Sequence, residues 1–141
     1  MTITILEKAL EQILVTDAAV SAMVIDRVYL GLATQEEEMP YICIDNDGGD
    51  PPDKAMSGPT GLASRDIIID CRAASGADAV NLAGAVMFAL DGYRADVDGF
   101  SINLIEVMEP VTSDEKELQP VYFGQRMSAT VTYHRPKGNQ Q

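Results

Sequence analysis

Three consecutive isoleucines, Ile67, Ile68 and Ile69, sit inside the stretch Arg65-Asp66-Ile67-Ile68-Ile69-Asp70-Cys71-Arg72, and a long amphipathic segment follows. A β-branched run of this kind favours a strand. Side chains alternate along a strand, which puts Ile67, Ile69 and Cys71 on one face and Asp66, Ile68, Asp70 and Arg72 on the other. Polar groups interrupt only the second face, so the first is the core side. Ser75 then reads as an N-cap, with Asp78 three residues on, beside free backbone N–H groups. Ala79, Leu82, Ala83, Val86 and Leu90 form one helical stripe, and Gly92 supplies the C-terminal stop. Ala83, Gly84 and Ala85 are small enough to let the helix lie close on a sheet. Each large aliphatic of this unit contributes roughly 1.5–3 kcal/mol when fully buried. A strand and the helix that covers it form the core.

The rest of the chain supplies partners for that unit. Thr4-Ile5-Leu6-Glu7 has the pattern of a capping box, and Leu6, Ala9, Leu10, Ile13 and Leu14 form a helical stripe ending near Val15. Thr16 or Asp17 caps a short second helix over residues 18–24. Asp26-Arg27-Val28-Tyr29-Leu30 reads as a brief strand that Gly31 ends. Pro40-Tyr41-Ile42-Cys43-Ile44-Asp45 is the next strand, with Pro40 at its first position, where a missing N–H is tolerated. Residues 46–61 are rich in Gly, Pro and Asp, which block helix and ladder alike, and predict an exposed arm between paired strands.

Beyond the central helix, residues 93–99 are an acidic turn. Phe100, Ile102 and Leu104 alternate against Ser101 and Asn103 in a strand over residues 100–108. Residues 109–120 form a second polar loop. In the last strand Val121, Phe123, Met127, Ala129, Val131 and Tyr133 share one face, with Gln125 the exception. Tyr122, Gly124, Arg126, Ser128, Thr130, Thr132 and His134 make the other, which meets water or a partner. Residues 135–141 are a short polar tail. The order predicts one α+β domain over residues 1–141. Its sheet is antiparallel, with four to five strands, and an N-terminal helix and one long central helix pack on one face.

Composition narrows the function. The 141 residues suffice for one core without staples. No apolar run is long enough to span a bilayer, and the N-terminus lacks the basic region of a signal peptide. Cys43 and Cys71 lie among aliphatic neighbours and read as small core residues rather than a disulfide, which fits a reducing cytoplasm. The formal charge is −12 and the pI about 4.2. Such a chain repels nucleic acid and anionic membrane, since no basic patch exists to release counterions from phosphate. The surface is either simply solvated or built to stand near DNA without sticking to it.

Catalytic and metal motifs are missing. His134, the single histidine, has no acidic or cysteine partner near it in sequence, and the two cysteines lack zinc spacing. Asp45-Asn46-Asp47-Gly48-Gly49-Asp50 starts like a calcium loop but fails it: the sixth position is Asp50 rather than Gly, the twelfth Met56 rather than Glu. Gly58-Pro59-Thr60-Gly61 is followed by Leu62 where a phosphate loop needs lysine. The sequence therefore points away from an enzyme, and neither a cofactor nor a metal is expected.

Four local sequences, in order, carry a resemblance that spans nearly the whole chain. An N-terminal helix leads through Asp17-Ala18-Ala19-Val20 to Asp26-Arg27-Val28-Tyr29. Met39-Pro40-Tyr41-Ile42 opens a strand. Ile67-Ile68-Ile69-Asp70-Cys71 precedes the helix from Ala77, and a closing strand covers residues 126–133. In these features the chain resembles the phage tail-completion family, the tail terminators and head–tail joining proteins of long-tailed double-stranded DNA phages. Arg72 departs from the pattern, which has an aromatic after the cysteine.

The resemblance implies a structural virion protein of the tail or neck, assembled in the host cytoplasm. It implies a homo-oligomer, a hexameric ring, that caps the tail tube protein and docks to the head–tail connector or adaptor. DNA would pass through its channel without specific binding, and no membrane is involved. The candidate interaction residues are Asp47, Asp50, Asp53, Lys54 and Met56 in the first loop, Asp114, Glu115 and Glu117 in the second, and Arg126 on the last strand. A competing reading is a small acidic cytoplasmic binding or inhibitor module that mimics DNA. The same charge serves both; a tail protein must form a ring on a tube, whereas an inhibitor binds one partner stoichiometrically.

Overall fold

A computed structural model describes residues 6–31, 39–50, 62–97, 100–113 and 123–134; of residues 46–50 and 62 it describes the backbone alone. The helices are α1 (Leu6–Thr16), α2 (Ala18–Val24) and α3 (Gly76–Leu90). The strands are β1 (Val28–Leu30), β2 (Tyr41–Asp50), β3 (Leu62–Ala73), β4 (Ala95–Val97), β5 (Phe100–Val107), β6 (Val111–Thr112) and β7 (Phe123–His134). They form one sheet in the order β1-β2-β3-β7-β5-β4, with β6 paired separately to β7. The fold is α+β, as the sequence predicts.

The sheet departs from the expectation in two respects. It has seven strands, not four or five, because β4 and β6 are three and two residues long and carry no readable alternation. It is mixed rather than antiparallel, because β1 runs parallel to β2 (Val28 opposite Ile42, Leu30 opposite Ile44). The other pairings are antiparallel. Parallel neighbours need a crossover connection. A third helix, α2, joins the N-terminal and central ones.

The central pair of strands is β3 and β7, in register from Leu62 opposite His134 to Ala73 opposite Phe123. Ile67, Ile69 and Cys71 face Ala129, Met127 and Gln125 across it on the core side, and the first five of these are buried. The helices lie on that side. The predicted stripe of α3, from Ala79 to Leu90, is buried, as are Leu6, Ala9, Leu10, Ile13 and Leu14 of α1. Glu7 of α1 accepts a hydrogen bond from Arg65 Nη1 of β3 at 3.2 Å, which ties α1 to the sheet. Thr4, its expected capping partner, lies outside the described residues.

Local signals decide the ends. Asp17 caps α2 by accepting from the Val20 N–H at 3.1 Å, and Ser75 caps α3 by accepting from the Asp78 N–H at 3.1 Å. After α3, Gly92 has φ 78°, the left-handed conformation that glycine enters without cost. Its N–H donates to the Ile105 carbonyl at 2.8 Å, and Asp91 Oδ1 accepts from the Val107 N–H at 3.0 Å. The end of α3 is thereby clasped to the side of β5 away from β7. The corner after α2 uses a less comfortable residue. Ile25, at φ 61° and ψ −98°, takes the first central position of a turn closed by Arg27 N–H to Val24 O at 2.9 Å, a place that favours glycine.

Three finer expectations are corrected. The predicted arm over residues 46–61 begins later, since β2 continues to Asp50, which lies opposite Ser64, past an irregularity between Asn46 and Gly49. The polar loop over 109–120 contains β6. In β5 a register shift between Ile102 and Leu104 reverses the alternation, so Ile105 and not Leu104 is the next core residue. A bulge inserts one residue and so changes which face follows.

Candidate functional site

The second face of the sheet carries the polar chemistry. At its centre is Asp70 of β3, a residue that alternation places outward, yet which is only 5% exposed. Its Oδ2 accepts from Arg72 Nε at 3.2 Å and Arg72 Nη2 at 3.0 Å, both from two residues along the same strand face. Arg126 Nη2, directly opposite on β7, reaches the same oxygen at 3.4 Å. The Ser113 hydroxyl, just past β6, donates to Oδ1 at 3.3 Å. One carboxylate therefore holds two guanidinium groups and the segment after β6.

Arg72 extends the group toward β2. Its Nη1 donates to the Tyr41 hydroxyl at 3.2 Å, and its guanidinium lies 5.8 Å from the Tyr41 ring centroid. Tyr29 of β1 packs edge-on against Tyr41 at 5.8 Å between centroids. Burial disfavours the charged form of Arg72. The hydrogen bond to Tyr41 and the charge of Asp70 outweigh it and hold its pKa above the ordinary value. Arg72 is thus a cation laid on an aromatic ring from the neighbouring strand.

The two cysteines are buried thiols outside any disulfide, on opposite faces of the sheet: Cys43 lies opposite Asp70 on the second face, and Cys71 opposite Ile42 in the core. Burial, reinforced by the charges of Asp70 and Cys43, pushes the Cys71 thiol well above its ordinary pKa. Among the described residues no group of three His, Cys, Asp or Glu side chains could hold a metal ion. Nor is any helix long and apolar enough to cross a membrane. The group around Asp70 is one carboxylate shared by two guanidinium groups and a hydroxyl.

Around it lie exposed apolar side chains. Val111 sits opposite Arg126, and Met108, whose N–H donates to the Ser128 carbonyl at 2.8 Å, is the next outward residue after half-buried Val107. They are 67% and 65% exposed, and the Arg126 side chain is 53% exposed. On the far side of the molecule, α3 turns Val80 and Phe88 to solvent at 56% and 90% exposure. Gly84 lies between them with open space where a Cβ would stand.

Of the residues singled out from sequence, Arg126 is at this site. Asp47 and Asp50 lie in the far end of β2, where the backbone alone is described. Asp53, Lys54, Met56, Asp114, Glu115 and Glu117 lie outside the described residues. Sequence reading missed Asp70, Arg72 and Ser113 as a unit, though the two-residue spacing of Asp70 and Arg72 already placed both on one strand face. It also missed Phe88, which stands opposite the buried stripe of its helix.

A family model described as "Tail completion protein gp17" matches residues 8–129. In structure the chain is similar to a chain of the "Virion of native gene transfer agent (GTA) particle". The TM-score is 0.60 and the identity 22%, over 90% of this chain and 94% of that one. At that identity the likeness is one of fold. No curated protein matches the sequence.

Proposed function

The chain belongs to the tail completion protein gp17 family, and on that premise we propose that it forms a ring, of six copies, which caps the finished tail tube and docks it to the head connector. The family match over residues 8–129 carries the reading. The role is structural: the chain works by self-assembly and docking, not by catalysis. A sheet with helices on one face and a fixed polar face on the other suits packing between subunits. Asp47, Asp50, Asp53, Lys54 and Met56 are the candidates for contacts on one side of the ring, with Asp114, Glu115 and Glu117 on another.

The charge of −12 per copy suits a channel through which DNA must slide. Salt limits its reach: the Debye length at physiological ionic strength is about 8 Å, so only acids lining a narrow bore repel the duplex.

The test is electron microscopy of particles made with this gene alone deleted. Headless tails of uncontrolled length are the outcome expected if the ring ends tube growth. Tails of normal length beside unjoined, DNA-filled heads assign it to head–tail joining. Normal infectious particles overturn the reading and favour the acidic inhibitor.

A further inference from the structure

The sheet ends differently on its two flanks. One closes with β4, whose middle residue is the charged Asp96, and with the clasp from the end of α3 onto β5. The other ends in β1, the three uncharged residues Val28, Tyr29 and Leu30, with neither proline nor bulge. The bonds to β2 show which groups of β1 remain. Arg27 O accepts from the Ile42 N–H at 3.0 Å, and the Gly31 N–H donates to Ile44 O at 2.7 Å, so Arg27, Tyr29 and Gly31 turn toward β2. Val28 and Leu30 alternate with them. Their carbonyls and the Leu30 N–H turn away from β2, where they have no partner among the described residues. Leu30 is exposed as well. An edge of this kind is a template for one sort of ligand, another extended strand.

We propose that residues 1–5 of one copy add as a strand to the β1 edge of the next. The inference rests on the ring reading above and names a contact of that ring. The segment reads Met-Thr-Ile-Thr-Ile: after the methionine every residue is β-branched, hydroxyl and aliphatic side chains alternate, and there is no charge, glycine or proline. The other longer segments outside the described residues lack that pattern. Residues 32–38 end in three glutamates, residues 114–122 open on Asp114 and Glu115, and residues 51–61 and 135–141 are broken by proline and glycine.

Register selects a second copy over the chain's own edge. Glu7, at the start of α1, is bonded to Arg65. Arg65 lies four residues along β3 from Ile69, which is level with Ile44 and, one strand further, with Leu30. At strand spacings that separation is about 17 Å. The chain from Glu7 back to Ile3 extends about 14 Å at most, and would still have to run along the edge. A contact from the N-terminal end of one copy to β1 of the next is heterologous, and such contacts repeat around a ring when the rotation closes. Main-chain bonds supply the attraction, and the alternating side chains of residues 1–5 fix the register.

The test removes the edge donor. Leu30→Pro deletes the outward N–H and costs β1 no bond to β2, whereas Leu30→Thr keeps that N–H. In particles that lack the native copy, the Leu30→Pro chain is expected to be taken up about tenfold less than the Leu30→Thr chain, the equivalent of one hydrogen bond left unmade. Equal uptake overturns the proposal. A second measurement needs no proline: Ile3→Cys with Leu30→Cys in one chain, in purified particles treated with a short bismaleimide. A ladder of covalent oligomers is expected from the double variant and none from either single variant, since Cys43 and Cys71 are buried. Links confined to single chains overturn the proposal, because the segment would then lie on its own copy. Particles that contain the chain but give no link overturn it while leaving the tail reading in place. Particles that do not contain even the native chain overturn both.

Discussion

Ser113 lies over Gly124 so closely that a Cβ on the glycine would fall 2.5 Å from the Ser113 Oγ and 2.8 Å from its carbonyl oxygen. The approach has a purpose in the fold: the Ser113 N–H donates to the Gly124 carbonyl at 2.8 Å, and its hydroxyl reaches Asp70. Glycine is needed here for space, not for an unusual φ. Gly124→Ala should therefore displace the segment after β6 and cost about 1–3 kcal/mol, the range for overpacking. Urea denaturation checks it; an unchanged midpoint would show that the segment gives way freely.

Removing Asp70 should hurt far more than removing either end of its network. Asp70→Ala leaves Arg72, whose side chain is 12% exposed, without its carboxylate, and breaking such a buried pair costs about 3–5 kcal/mol. Arg126→Ala removes a half-exposed partner at 3.4 Å, worth about 0–1 kcal/mol at such exposure. The two losses, measured in the same denaturant series, should differ by more than 2 kcal/mol on the same principle. Equal losses would mean that Arg126, not Arg72, is the main partner.

Alkaline pH should destabilise the chain through Cys71. Its folded pKa is raised, so the native thiol keeps its proton while the unfolded one loses it above about 8.5. The unfolded state then binds fewer protons, and stability falls as pH rises, by about 1.4 kcal/mol per unit beyond that point. The contribution is fully present below pH of about 8.5. Cys71→Ala should remove one proton's worth of the slope, and a native chain should leave this thiol unlabelled by a thiol reagent. A slope that survives the substitution refutes the assignment.

The outward side of α3 gives a prediction of opposite sign. An added Cβ at Gly84 would meet nothing within 4 Å, and glycine inside a helix is about 0.5–1 kcal/mol worse than alanine. Gly84→Ala should raise stability by that amount in thermal unfolding of the isolated chain. A loss would place Gly84 against a neighbour.

How far these features were readable in advance depends on the distance in sequence that each requires. The stripe of α3, its Ser75 cap and the Gly92 stop are local, and periodicity exposed them. The face of β7 that holds Met127, Ala129 and Val131 was equally plain. Gly84 was misread because its smallness was taken as a sign of close packing, although a helical wheel puts it opposite Leu82 and Val86. The Asn103 bulge was hidden, since alternation from Phe100 to Leu104 stays regular up to the point where it shifts. Asp70 was placed on the wet face correctly, but its partners Ser113 and Arg126 lie 43 and 56 residues away and are brought in only by the pairing of β7 with β6 and β3. A charge pattern within one strand cannot report on such partners. β4 and β6, at three and two residues, lie below the length at which a pattern becomes readable.

The clasp at the end of α3 also bears on how the edge of the sheet is protected. β4 covers only the first part of β5, which would leave the remaining amides and carbonyls of that edge to recruit another chain. Asp91 and Gly92 already occupy the Val107 N–H and the Ile105 carbonyl. On that flank the sheet is thus a poor template for strand-by-strand extension, the route by which unprotected edges grow into fibres.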